Sequence, residues 1–149
     1  MHAELGTSEK IGAIGFSRGA PFAAMLAADG TVQAALVHGN RYDYLDPLPS
    51  DPMLARFEKA WGARNADKDK WAEHGAAHYL TKNAAPMFLN TSDAESPEYR
   101  DGLEKFDRRL TELGIKHQYQ VDVDGRGHRV STDPRTLRAF YSFFGDYLQ

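Results

Sequence analysis

The stretch that decides the reading is Lys10-Ile11-Gly12-Ala13-Ile14-Gly15-Phe16-Ser17-Arg18-Gly19-Ala20. Its first half is short, apolar on both sides and bounded by glycine, as suits a strand buried inside a parallel sheet. Its second half opens an alanine-rich helix over 17–28 that Asp29-Gly30 would end. At the junction, Gly15-Phe16-Ser17-Arg18-Gly19 reads G-x-S-x-G. Between a strand and a helix this pattern puts a serine on a sharp, strained turn. Glycine two before and two after lets strand and helix pass where a Cβ would not fit. The turn lifts the hydroxyl to the carboxyl end of the sheet. There the helix dipole and the backbone N–H of Arg18 can face a developing oxyanion. With 13 Gly and 7 Ser among 149 residues, chance supplies about 0.05 such matches per chain.

Working outward, 32–38 is a second short apolar strand, and 39–52 is a loop with Tyr42, Asp43, Tyr44, Asp46 and three prolines. Residues 53–82 differ in character. Met53, Phe57 and Trp61 recur every four residues and Trp71, Gly75 and His78 continue more weakly, predicting one or two amphipathic helices broken near 65–69. Residues 86–90 form a third buried strand. Ser96-Pro97-Glu98 starts a helix with Tyr99, Leu103, Phe106, Leu110 and Leu113 on one face, stopping at Gly114. Residues 117–123 alternate polar and apolar, as a half-exposed edge strand would. Asp133-Pro134 starts a last helix with Leu137, Phe140, Tyr141, Phe144 and Leu148 expected inward. Strands alternating with helices imply a parallel sheet with right-handed crossovers.

A nucleophilic serine needs a base, and the base an orienting carboxylate. His128, in Asp124-Gly125-Arg126-Gly127-His128, follows the fourth strand. Asp93, in Asn90-Thr91-Ser92-Asp93, follows the third. Both loops lie at the sheet end that carries Ser17, where open α/β sheets bind ligands. Other readings stand beside these. Asp93 can cap the next helix, His128 can be a loop histidine bonded to backbone, and Asp43 or Asp46 can be the third member. Asp122 and Asp124 are near His128 in sequence, but neighbours at an extended strand end point apart. His74 and His78 share a helix face beside Glu73, yet the order is not H-E-x-x-H and no third ligand stands out, so no metal is expected. Phe16, His38, Tyr42, Tyr44, Trp61 and Trp71 are candidates to line a substrate pocket, with packing as the alternative for each.

The totals set bounds. The chain is 42% hydrophobic and 26% charged, an ordinary balance for one globular domain over 1–149. A net charge of −3 offers no basic excess for nucleic acid. No apolar run approaches the roughly 20 residues of a membrane helix, and the first ten residues contain no apolar signal core. The absence of cysteine excludes disulfides, thiolate metal sites and cysteine nucleophiles; a cytoplasmic location is expected, with a lost N-terminal signal as the alternative.

The runs IGAIGFSRGA, PMFLNTSD and DGRGH resemble the C-terminal half of an α/β-hydrolase, closest to the dienelactone hydrolase and small serine esterase branch. The resemblance covers about 11–148. It implies a truncated α/β-hydrolase-like fold of about four parallel strands, with a lid-like helical insertion at about 50–83. It implies a Ser17, Asp93, His128 triad with Arg18 as oxyanion donor, no cofactor, and hydrolysis of small acyl esters through an acyl-enzyme. The family's earlier strands and its second oxyanion donor have no counterpart before Ile11. The strand at 10–15 is therefore expected to have an open edge, closed most simply by a second copy as a homodimer or higher homo-oligomer. A split or non-catalytic hydrolase half that binds a partner chain is the alternative, as is an acyltransferase or peptidase using the same triad.

Overall fold

In the computed structural model, residues 9–46 and 53–149 are described. Four parallel strands stand side by side in chain order: β1 (Gly12–Phe16), β2 (Ala34–His38), β3 (Met87–Ser92) and β4 (His117–Asp122). Register is tight, with Phe16 level with His38, His38 with Asn90, and Ser92 with Asp122. The carboxyl ends of all four strands thus meet along one rim.

Helices cover both faces, which is why every residue of β2 and β3 is buried and their first halves are apolar on both sides. Strand residues alternate between the two sides. Ala35, Val37, Met87 and Leu89 pack with α1 (Gly19–Ala28) and with Leu103, Phe106 and Leu110 of α5 (Pro97–Glu112). Ala34, Leu36 and Phe88 pack with Phe140 and Phe143 of α6 (Pro134–Tyr147). Both aromatic pairs on Phe88 are edge-to-face, worth about 0.5–1.5 kcal/mol each beyond their area.

Two expectations are corrected. The first helix begins at Gly19, because Ser17 and Arg18 are spent on the turn. On α6, Phe143 rather than Tyr141 is the inward partner of Phe140. Leu137 is partly exposed and Tyr141 is 77% exposed, since the three-residue step from Phe140 to Phe143 keeps both rings on Phe88.

Between β2 and β3 lie three short helices, α2 (Leu54–Trp61), α3 (Lys68–Ala72) and α4 (Ala76–Tyr79). They are organised around rings: Phe57 stacks on Trp61, and Tyr44 and Trp71 meet Trp61 edge-on. Trp71 is fully buried and donates its indole N–H to Gly62 O (3.0 Å).

The two sheet edges differ. β4 pairs with β3 alone among the described residues and departs from the expected alternation: Val121 and Val123 are exposed while Asp122 is buried, because its carboxylate joins the polar network with Asn90 and Thr136. β1 bonds β2 alone among the described residues, and its flank exposes Ile14 (72%) with Phe22 of α1 (67%) and half of Ile11. No helix among the described residues is long and apolar enough to cross a membrane.

Candidate active site

The turn after β1 is built around one strained residue. Ser17 has φ +52°, the one positive φ outside glycine among the described residues, a conformation that costs an L residue about 1–2 kcal/mol. A Cβ on Gly15 would lie 2.3 Å from Gly19 O and 2.6 Å from Ala20 Cα, so glycine is required there. Gly19 is different: a Cβ there would meet nothing within 4 Å. The close approach predicted for both glycines holds only for the first.

Hydrogen bonds grip the turn from β2. Ser17 N–H donates to His38 O (3.0 Å), and the Asn40 side-chain amide donates to Ser17 O (2.7 Å). Ser17 O also accepts the Ala20 N–H that opens α1 (2.9 Å). The Arg18 N–H has no acceptor among the described residues, as an oxyanion donor requires.

His128 reaches Ser17 across the rim. Its Nε2 is 2.8 Å from Ser17 Oγ, and its Nδ1 is 2.7 Å from Glu95 Oε2. An ionised carboxylate only accepts, so Nδ1–H donates to Glu95 and the Nε2 lone pair takes the serine O–H. The Glu95 side chain is completely buried, and its Oε1 accepts Ser96 N–H (2.8 Å). Gly39, at φ +50°, makes this possible. A Cβ there would sit 2.6 Å from Glu95 Oε2 and 3.2 Å from His128 Nδ1. The His128 ring lies beside Phe16 (5.1 Å) and Tyr99 (5.0 Å), and a third of the side chain stays exposed.

The carboxylate on His128 is therefore Glu95, not Asp93. Asp93 is exposed and faces the other way. Its Oδ1 accepts Gly125 N–H (2.9 Å) and the Ser92 hydroxyl (3.3 Å), and the Gly125 bond holds its carboxyl below the usual range. Asp93 thus ties the loop after β3 to the loop that carries His128. The rivals are elsewhere: Asp43 accepts Leu45 N–H, and Asp46 pairs with Lys105. The available signal for Glu95 was its place immediately before Ser96-Pro97, on the same loop as Asp93. A turn without a period does not say which of two nearby carboxylates points inward.

The candidate pocket residues separate. Phe16 is at the site, against both His128 and His38. His38 is buried behind it, with Nδ1 donating to Asn90 Oδ1 (2.6 Å), while the Asn90 amide nitrogen faces Asp122 Oδ2 (3.1 Å). Asp122 also accepts from Thr136 and Gln120, so β2, β3, β4 and α6 share one buried polar network. Burial lowers the His38 pKa below its ordinary value. Tyr42 stacks on Phe106 (4.3 Å) and its buried hydroxyl has no hydrogen-bond partner among the described residues. Trp61 and Trp71 belong to the insertion's ring cluster, and neither shares a hydrogen bond or ring contact with Ser17 or His128. His74 stacks on Trp61 (3.9 Å) and His78 lies edge-on to Tyr79. A cleft of about 700 Å³ opens between Arg41, Tyr42, His78, Lys105 and Arg109, but Ser17, Glu95 and His128 do not line it.

No protein-family profile matches the chain, and no curated protein matches it in sequence. Solved structures do match in fold. The chain is similar to the Pyrococcus horikoshii acylaminoacyl peptidase, with TM-score 0.77 and 20% identity over 95% of this chain and 24% of that one. It is similar to a truncated carbohydrate esterase from gut microbiota, with TM-score 0.76 and 16% identity over 93% of this chain and 59% of that one. A thermophilic esterase from Thermogutta terrifontis, solved with propionate, gives TM-score 0.66 and 16% identity over 91% of this chain and 55% of that one. The chain therefore spans a quarter to three-fifths of these proteins and has the fold of part of an α/β-hydrolase.

Proposed function

We propose that the protein hydrolyses small carboxylic esters with Ser17 as nucleophile, His128 as general base and acid, and Glu95 as the orienting carboxylate. The observation that carries this reading is the unbroken relay from buried Glu95 through His128 to Ser17 Oγ, with both hydrogen bonds under 3 Å. Ser17 attacks the acyl carbon while His128 Nε2 takes its proton. The oxyanion draws on the Arg18 N–H. His128 returns the proton to the leaving alcohol, and water, deprotonated by the same nitrogen, then releases the acid from the acyl-serine. Glu95 keeps Nδ1 protonated and stabilises the imidazolium at each step. Phe16 and Tyr99, beside His128, offer apolar surface to a short acyl or alcohol group.

The esterases among the structural neighbours support the ester reading. The likeness to a peptidase favours a second one, amide hydrolysis by the same relay, and comparing a nitrophenyl ester with the matching anilide separates them. We read 1–149 as one catalytic domain with 50–83 as its insertion. The open, apolar flank of β1 supports association with a second copy, and a monodisperse monomer on a sizing column would reject that. The deciding assay is turnover of a short-chain nitrophenyl ester: the Ser17→Ala variant is expected to lose at least about 10³-fold in kcat. Equal rates from folded wild type and variant would defeat the proposal.

A further inference from the structure

Both peptide planes that flank Ser17 are held by the end of β2 and the short turn after it. The plane before it is fixed by its N–H on His38 O. The plane after it is fixed at its oxygen, where Asn40 Nδ2 donates at 2.7 Å. A peptide unit is planar and trans, so its C=O and N–H point in opposite directions. The N–H opposite Ser17 O is that of Arg18, the oxyanion donor of the proposed reaction. Ala20 N–H on the same oxygen closes the three-residue turn that leads into the helix and runs roughly along the helix axis. The Asn40 amide adds the lateral restraint.

Asn40 is well placed to be rigid. It is buried, and its Oδ1 accepts the Arg41 N–H at 2.7 Å. The two contacts define its orientation, because a flipped amide would set oxygen against Ser17 O and NH₂ against the Arg41 N–H. We propose that Asn40 is a positioning residue that locks the Ser17–Arg18 peptide plane and so aims the Arg18 N–H at the developing oxyanion. This rests on the ester-hydrolase reading of the same site. It assigns Asn40 no contact with substrate. Its effect belongs to kcat, because the donor is needed most in the transition state.

Asn40→Asp tests it, since the variant keeps the shape and the acceptor for Arg41 N–H but faces Ser17 O with an oxygen. The expected result is a fall in kcat of about 10–100-fold with KM within about threefold. The downfield proton NMR signal of the His128–Glu95 bond should persist while the Arg18 amide signal shifts and its hydrogen exchange quickens. Asn40→Ser, which buries no charge, carries the same readouts if the aspartate variant does not fold. Wild-type kcat with an unmoved Arg18 amide would overturn the proposal. So would loss of kcat together with the His128 signal, which would mark Asn40 as a general support of the fold. Wild-type protein with no Ser17-dependent turnover would retire the ester reading alone, and the Arg18 amide in Asn40→Asp would then decide the role of Asn40.

Discussion

The rim of the sheet and the helical insertion hold themselves together by opposite means. At the rim, short side chains and backbone groups are joined by directional bonds: Asn40 to Ser17, Glu95 to His128, Asp93 to Gly125, and His38 through Asn90 to Asp122. In the insertion, Phe57, Trp61, Trp71 and His74 pack ring on ring with Tyr44 from the loop before it, and Trp71 adds an indole hydrogen bond to Gly62 O. Hydrogen bonds fix angles to a few tens of degrees, while apolar contact rewards area and tolerates sliding. The region to which the proposed chemistry assigns angular precision is the one built from hydrogen bonds. The aromatic region is expected to govern stability.

Substitutions can break that division. The largest effect is expected from Glu95→Gln, which should lower kcat about 10³–10⁴-fold by disturbing the His128 tautomer. Asp93→Asn should cost less than about tenfold. Steady-state kinetics on the pair would place the acid at Asp93 if the order were reversed. Trp71→Ala should destabilise by about 3–5 kcal/mol through the cavity it leaves, with kcat/KM per folded molecule unchanged. Denaturant melts beside active-site titration check this, and a matching drop in specific activity would make the insertion part of the site.

A smaller effect separates buried from titrating groups. Burial lowers the His38 pKa below its ordinary 6.5, so the unfolded chain takes up that proton first as pH falls. Stability from this group is complete above about pH 6.5 and declines below it. Thermal melts at pH 7 and pH 5 should show a larger loss for wild type than for His38→Gln. The smallest change is expected from Tyr42→Phe. Its hydroxyl is buried with no partner among the described residues, and burial holds its pKa well above 10. Removing it should leave stability unchanged or raise it by up to about 1 kcal/mol, and remove Tyr42's contribution to alkaline destabilisation. A loss above 1 kcal/mol would reveal a bridging water.

Much of this was readable in the chain. Gly15 to Gly19 announced the turn because only a few residue types survive at a strained junction between a strand and a helix. His128 announced itself through a glycine-rich loop at the matching end of the sheet. The buried strands β2 and β3 were legible because helices on both faces make their first halves apolar on both sides. The misjudged features share one cause. Asp93 against Glu95 and Tyr141 against Phe143 are questions of which way a side chain points.

The amino-acid order by itself determined the parallel sheet, the strained turn that carries Ser17 and the histidine loop that faces it, because local geometry and hydrophobic periodicity act over a few residues. Tertiary structure alone decided that Glu95 meets His128, that Gly39 leaves room for its carboxylate, and that Asn40 grips the Ser17 carbonyl. Those contacts join residues 23 to 56 positions apart on separate loops, and their alignment is set by how the strands register and the helices pack.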